Sequence, residues 1–223
     1  MAHRVEAGDV APTAVRVRVG HDWLHGDLHL APRAHGVVLF AHGSGSSRHS
    51  PRNKYVARAL GQRGLATLLI DLLTPDEEAV DTATAQHRFN IEMLAGRLVA
   101  IVDWLKARPD TSLLPIGLFG ASTGSGAALM TAAARPAEVG AVVSRGGRPD
   151  LAGVSLAHVQ APTLLIVGSR DEAVMQLNRE AMRRMRAPTS LEIVPGATHL
   201  FEEPGALELV AEHAGRWFDR HLR

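Results

Sequence analysis

Three residues, each just beyond an apolar run, have the types and spacing for nucleophilic catalysis. Ser122 stands in Gly120-Ala121-Ser122-Thr123-Gly124, after the run Leu113–Phe119 and before the helix-forming Ala127-Ala128-Leu129-Met130. A serine on so tight a strand–turn–helix has strained backbone angles and an outward hydroxyl, and flanking glycines let strand and helix pass closely. Asp171 lies just past the run Pro162–Gly168, and His199 follows the run Ser190–Val194 through Pro195-Gly196-Ala197-Thr198. A serine hydroxyl alone is a poor nucleophile near neutral pH, so a neutral imidazole must take its proton, and a carboxylate must orient that imidazole and offset its charge. The pattern predicts Ser122 as nucleophile, His199 as general base and acid, and Asp171 as orienting acid. The plainer readings are a flexible glycine loop at 120–124, an ordinary loop histidine, and Asp171 as N-cap of the helix through Met175 to Met185. Glu172 is the substitute acid.

A negative charge developing on the substrate needs donors. The loop His42-Gly43-Ser44-Gly45-Ser46-Ser47 follows the run Gly36–Ala41, and its small residues let backbone N–H groups approach an oxyanion. The amides of Ser44 and Thr123 are expected to form the oxyanion hole, with Gly45 as substitute for Ser44; a plain polar turn is the alternative. The loop lacks the Gly-Lys-Ser/Thr ending of a phosphate-binding P-loop. Substrate contacts are expected from His42, Gly45, Phe201 and Arg145, although His42 also reads as structural. Arg145 ends the run Ala141–Ser144, with Arg148 three residues on. A guanidinium there could hold a carboxylate or phosphate of the substrate, or form an ion pair with Glu172, Glu202 or Asp150. The 12 histidines are scattered without H-E-x-x-H or H-x-H spacing, so neither a metal nor any other cofactor is expected.

The chain order Ser122, Asp171, His199 is the nucleophile–acid–histidine order of the α/β-hydrolase arrangement. Through His42-Gly43, Gly120–Gly124, Gly168-Ser169-Arg170-Asp171 and Gly196-Ala197-Thr198-His199, residues 13–222 resemble the dienelactone hydrolase family. The stretches Ser144–Asp150 and Thr198–Gly205 are also similar to the hydrolase domain sometimes joined to phosphoribosyltransferases, of which this sequence has no such segment. The enzymes that name the family use a cysteine nucleophile, and this sequence has no cysteine. The resemblance therefore implies ester hydrolysis in general, by a serine and through an acyl-enzyme. A thioesterase or acyltransferase would share that intermediate. A ligand sensor on a hydrolase scaffold is the reading from another class, and it would not need the base or the acid.

The elements that position these residues are legible as well. Residues Thr13–Val19 and Trp23–Leu30 alternate as an opening hairpin turning at Gly20-His21-Asp22, and continuous apolar runs at 37–41, 65–70, 116–119, 141–143 and 164–167 read as buried parallel strands. Helices are expected at Pro51–Arg63, ending at Gly64, at about 81–107 with a stripe from Ile91 to Leu105, and from Leu207 to Leu222. Strands alternating with helices predict a doubly wound, mostly parallel α/β sheet of about eight strands flanked by helices, with its site beyond the strands' carboxyl ends. Residues 13–223 form one expected domain, and 1–12 are expected to be disordered. Only about fourteen residues separate Gly147 from Pro162, too few for a large helical cap. The site should therefore be open, walled by residues 42–50, the segment after Asp71 and the flanks of His199. Trp104 and Trp217 lie on helical stripes and read as core. The net charge of +1, from 24 basic and 23 acidic residues, gives no general pull toward nucleic acid or an anionic membrane. With no long apolar run, the expectation is a soluble cytoplasmic protein acting on a small-molecule ester, as a monomer or homodimer.

Overall fold

The computed structural model describes residues 11–222, so the disorder expected for 1–12 falls almost wholly outside the described residues. Eight strands form one sheet: β1 (Thr13–Val19), β2 (Asp22–His29), β3 (Val37–Ala41), β4 (Ala66–Ile70), β5 (Ile116–Ala121), β6 (Val139–Arg145), β7 (Thr163–Gly168) and β8 (Thr189–Val194). Their order is β1-β2-β4-β3-β5-β6-β7-β8. The β1–β2 hairpin and the β2–β4 pair are antiparallel, and the pairs from β4 through β8 are parallel. The central strands are apolar on both faces because helices cover both. Val37–Ala41, Ala66–Ile70 and Ile116–Ala121 are buried at every position.

Six helices flank the sheet: α1 (Pro51–Gln62), α2 (Pro75–Thr84), α3 (Ile91–Ala107), α4 (Thr123–Ala134), α5 (Glu172–Arg184) and α6 (Ala206–His221). One core layer joins Val38, Phe40 and Phe119 to Leu60 of α1 and Phe218 of α6, and the other joins Leu39 and Leu118 to Leu98 of α3 and Leu129 of α4. Trp217 is buried in the first, and Trp104 packs at the edge of the second. From β3 the chain winds outward through β4, and from β5 it winds the other way through β6, β7 and β8. The carboxyl ends of β3 and β5 therefore flank the switch point of the sheet, where open α/β sheets bind ligands. Between β6 and β7 there is only a 3₁₀ segment, Pro149–His158, kinked at Gly153, and no large cap.

The single helix expected over about 81–107 is two. Thr74 and Glu77 form a reciprocal capping box at the start of α2, and Asn90 accepts the Met93 amide at the start of α3. Between them Ala85 adopts a left-handed backbone with φ of 55°. Burial costs the Asp81 carboxylate, but it accepts the amides of His87 and Arg88 at 2.7 and 2.9 Å and the Arg88 Nε at 2.6 Å. Those bonds fix the chain reversal that separates the helices, and they hold the carboxyl below its ordinary range against the opposing effect of burial.

Candidate active site

Ser122 occupies the turn from β5 into α4 with φ of 49° and ψ of −124°. It is one of four non-glycine residues with positive φ among those described, a conformation that persists only where its surroundings enforce it. The enforcement is visible on either side. A Cβ on Gly120 would lie 2.5 Å from the Ser125 Cα, and one on Gly124 would lie 2.3 Å from the Ala41 carbonyl oxygen, so neither position admits a larger residue. Beyond β6, the Arg145 carbonyl accepts the Ser122 amide at 3.2 Å and the Ser122 carbonyl accepts the Arg148 amide at 3.0 Å.

Asp171 stands at the N-cap position of α5, but its carboxylate caps no amide. Its Oδ2 instead accepts from the His199 Nδ1 at 2.6 Å. That bond puts the proton on Nδ1 and leaves Nε2 with a free lone pair. The loops that carry the two residues are tied together, because Ser169 Oγ accepts the Gly196 amide at 2.8 Å and the Ala197 carbonyl accepts the Arg170 amide at 2.9 Å. The Asp171 side chain is 14% exposed and that of His199 is 38% exposed, so the imidazole faces the solvent side of the pair. Gly146 follows Arg145, whose carbonyl accepts the Ser122 amide, and a Cβ added to the glycine would lie 3.0 Å from the His199 carbonyl oxygen. The Ser122 hydroxyl makes no hydrogen bond among the described residues, so the link from serine to imidazole is open in this resting arrangement.

On the other side of Ser122 lies the loop after β3, held by polar contacts. Arg48 pairs with Asp71, whose Oδ1 also accepts the Arg48 amide at 2.8 Å. The His42 Nδ1 donates to the Gly43 carbonyl at 3.0 Å, and its Nε2 accepts the Leu72 amide at 2.9 Å. Burial pushes this ring below the ordinary histidine range and keeps it neutral. With both nitrogens bonded to backbone, His42 braces the loop beside the cleft that it helps to line. Phe201 takes a left-handed backbone with φ of 56° and is 1% exposed, in the core layer shared with α1 and α6. Gly45 is exposed and lines a narrow cleft with Ser44, Thr123, Leu73 and Arg88, walled as expected by the segment after Asp71. The Ser44 amide already donates to the Thr123 Oγ1 at 2.9 Å, whereas the Gly45 amide has no partner among the described residues. A larger groove of about 710 Å³ lies elsewhere, between β2, β4 and α1, and neither Ser122, Asp171 nor His199 lines it.

The two arginines after β6 divide. Arg148 forms a fork-on-fork pair with Asp150 at 2.9 and 2.7 Å. Arg145 is 8% exposed and pairs with none of Glu172, Glu202 or Asp150, and Glu202 is taken by Arg52 at 2.8 Å. Among the described residues no group of three or more His, Asp or Glu side chains is placed to hold a metal ion. Nor is any described helix long and apolar enough to cross a membrane.

A mostly parallel eight-stranded sheet whose candidate residues follow β5, β7 and β8 defines the α/β-hydrolase class. Within it the chain belongs to the dienelactone hydrolase family, whose model matches residues 27–222. A dienelactone hydrolase from Anabaena variabilis is 58% identical, with a TM-score of 0.94 over 95% of this chain and 98% of that one. Est1E from Butyrivibrio proteoclasticus has the same fold at 18% identity, with a TM-score of 0.77 over 93% of this chain and 98% of that one. Two Mycobacterium tuberculosis proteins, each called "Putative phosphoribosyl transferase", are 53% identical over 99% of this chain. The chain spans about half the length, 51%, of those curated relatives.

Proposed function

We propose that this hydrolase cleaves carboxylic esters of small to medium size through an acyl-enzyme, with Ser122 as nucleophile, His199 as general base and acid, and Asp171 as the orienting acid. The observation that carries the reading is the Ser122 backbone, a positive φ on a non-glycine residue at the switch point of the sheet. Such strain has no packing benefit of its own and aims the hydroxyl away from the core. As Ser122 Oγ attacks the ester carbonyl carbon, its proton passes to the His199 Nε2, and the imidazolium is steadied by Asp171 through the Nδ1 bond. The tetrahedral oxyanion is held by the Thr123 amide together with that of Ser44, once the Thr123 hydroxyl turns off it, or of Gly45. Collapse breaks the ester C–O bond, and His199 returns the proton to the departing alcohol. Water then attacks the acyl carbon as His199 takes its proton, and collapse breaks the bond to Ser122 Oγ, releases the acid and returns the proton from His199 to Ser122. A cysteine-free sequence suits the reducing cytoplasm as the place of action.

A fluorophosphonate probe with p-nitrophenyl acetate as reporter tests the assignment. The expected result is labelling of Ser122, with Ser122→Ala losing both labelling and about 10⁴-fold or more of turnover while keeping its melting temperature. Near-wild-type turnover in Ser122→Ala would overturn the reading. Ligand binding without any labelling would favour the sensor. A panel of acyl esters and thioesters then separates esterase from thioesterase action.

A further inference from the structure

The groove between β2, β4 and α1 has no part in the reading above. Antiparallel pairing sets Asp27 of β2 opposite Leu69 of β4 and His29 opposite Thr67, so these four side chains share one face of the sheet. Leu69 joins the core layer of α1, which turns that face toward the helix. α1 packs over β4, and beside it the face of β2 opens as a groove of about 710 Å³, within the usual range for small-molecule sites, about 300–1,000 Å³. The floor is apolar at Leu69 and Ala57. Thr67, 1% exposed, also lines it, and its hydroxyl has no partner among the described residues. The His29 ring lies against Gly61, where an added Cβ would come within 3.0 Å of it, and among the described residues it makes no hydrogen bond either.

Charge says what such a groove would hold. α1 lines it with two cations, Lys54 and Arg58, four residues apart and so neighbours on one side of the helix. Neither side chain forms an ion pair or hydrogen bond among the described residues. The one acid among the described lining residues, Asp27, is answered by the Arg48 Nε at 3.7 Å. Exposed cations alone are ordinary. These two border an apolar floor, an unpaired imidazole and a buried, unpartnered hydroxyl, and a few polar groups converging on an apolar cleft are the makings of a ligand site. We propose that the groove is a second binding site that takes a small organic anion. Its apolar body lies on Leu69 and Ala57, and its carboxylate or phosphate is held by Lys54 and Arg58 through charge-assisted hydrogen bonds. Neither Ser122, Asp171 nor His199 lines the groove, so the ligand is bound there and not cleaved.

The test titrates two fluorescent probes with the same apolar body, anilinonaphthalene sulfonate and the uncharged N-phenylnaphthylamine. They are applied to wild type, the double variant Lys54→Gln with Arg58→Gln, Thr67→Val and the control Arg135→Gln. Arg135 pairs with Asp103 of α3, away from the groove. The wild type should bind the sulfonate about tenfold or more tightly than the neutral probe, by the worth of a charge-assisted bond. The double variant should lose that preference while holding the neutral probe as before, Thr67→Val should weaken the sulfonate severalfold, and Arg135→Gln should change nothing. Benzoate and phenyl phosphate then compete with the bound sulfonate, and the one that displaces it at lower concentration identifies the natural group. A preference that survives the double variant, equal weakening of both probes, or displacement by neither competitor overturns the site. Binding is read without turnover, so failure here leaves the hydrolase reading of Ser122 untouched.

Discussion

Arg97 and Arg145 are buried to nearly the same degree, 7% and 8% exposed, on opposite sides of the Ser122 turn, and the protein treats them in opposite ways. Arg97 of α3 donates through Nη1 to the Leu72 carbonyl at 2.6 Å and to the Glu77 Oε2 at 2.7 Å, and through Nη2 to the Glu77 Oε1 at 2.6 Å. Arg145 donates to nothing described, and burial, with Arg52 adding like-charge repulsion, pushes its guanidinium down to about 10. The cost of desolvation is comparable, so the difference lies in what offsets it. On the α2–α3 side the offset is complete, and the charge is part of the frame behind the cleft wall at Leu72 and Leu73. On the β6 side it is missing among the described residues.

Removing each charge should therefore have opposite signs, and the larger effect is at Arg97. Arg97→Met leaves the half-buried Glu77 at the start of α2 with its main partner gone, which should cost about 3 kcal/mol, the low end of the range for a buried pair. For a chain of this length the Tm should fall by roughly 10 °C, while turnover per folded molecule persists. A loss of a degree or less would erase the contrast between the two sides. Arg145→Met, which fills similar space without charge, should stabilise by about 1–3 kcal/mol and raise the Tm by several degrees. A fall in Tm would mean that Arg145 has an unseen structural partner. The gain should hold across the ordinary pH range, because a cation with a depressed folded pKa burdens the fold at every pH below that value and ceases to do so only as pH rises through it.

The satisfied side carries a pH signature of its own. Burial pulls the Glu77 carboxyl up, but the bonds from Arg97 and from Thr74 outweigh it and leave the group below its usual range. Its folded value thus lies beneath the unfolded one, so its contribution is whole above about pH 4.3 and is lost as pH falls through the folded value. The acid limb of a Tm-against-pH curve should be shallower in Glu77→Gln than in wild type. Parallel limbs would remove Glu77 from the frame.

This contrast also marks where sequence stops being informative. The strands were legible because a parallel strand covered on both faces is an unbroken apolar run, as at Val37–Ala41 and Ile116–Ala121. Ser122, Asp171 and His199 stand out in the sequence because each follows such a run. The break between α2 and α3 is signalled by the capping residues Thr74, Glu77 and Asn90, but the stripe from Ile91 to Leu105 is the stronger pattern and masks it. The burial of Phe201 goes with a left-handed backbone, which few sequences announce. The pairing of Arg148 and the solitude of Arg145 could not be read, because three residues of spacing say nothing about where Asp150, Glu202 and Arg52 come to lie.

The smallest expected effect tests whether the donor side of the cleft is as settled as its frame. Thr123 Oγ1 accepts the Ser44 amide at 2.9 Å in the resting chain. If that amide serves the oxyanion, the hydroxyl is a competitor that must leave before charge develops, and the net worth of such a bond is about 0.5–1.5 kcal/mol. Thr123→Ala removes the competitor and keeps the Thr123 backbone amide as a donor. The loop remains held by the Arg48 pair with Asp71 and by the bonds of His42, which the substitution does not touch. Turnover of a neutral ester should then rise by about two- to tenfold, carried by kcat because the gain is realised only once the oxyanion forms. A fall of a hundredfold would give the hydroxyl a positioning role and move Thr123 into the frame. An unchanged rate would pass the oxyanion to the Gly45 amide, which has no partner to lose.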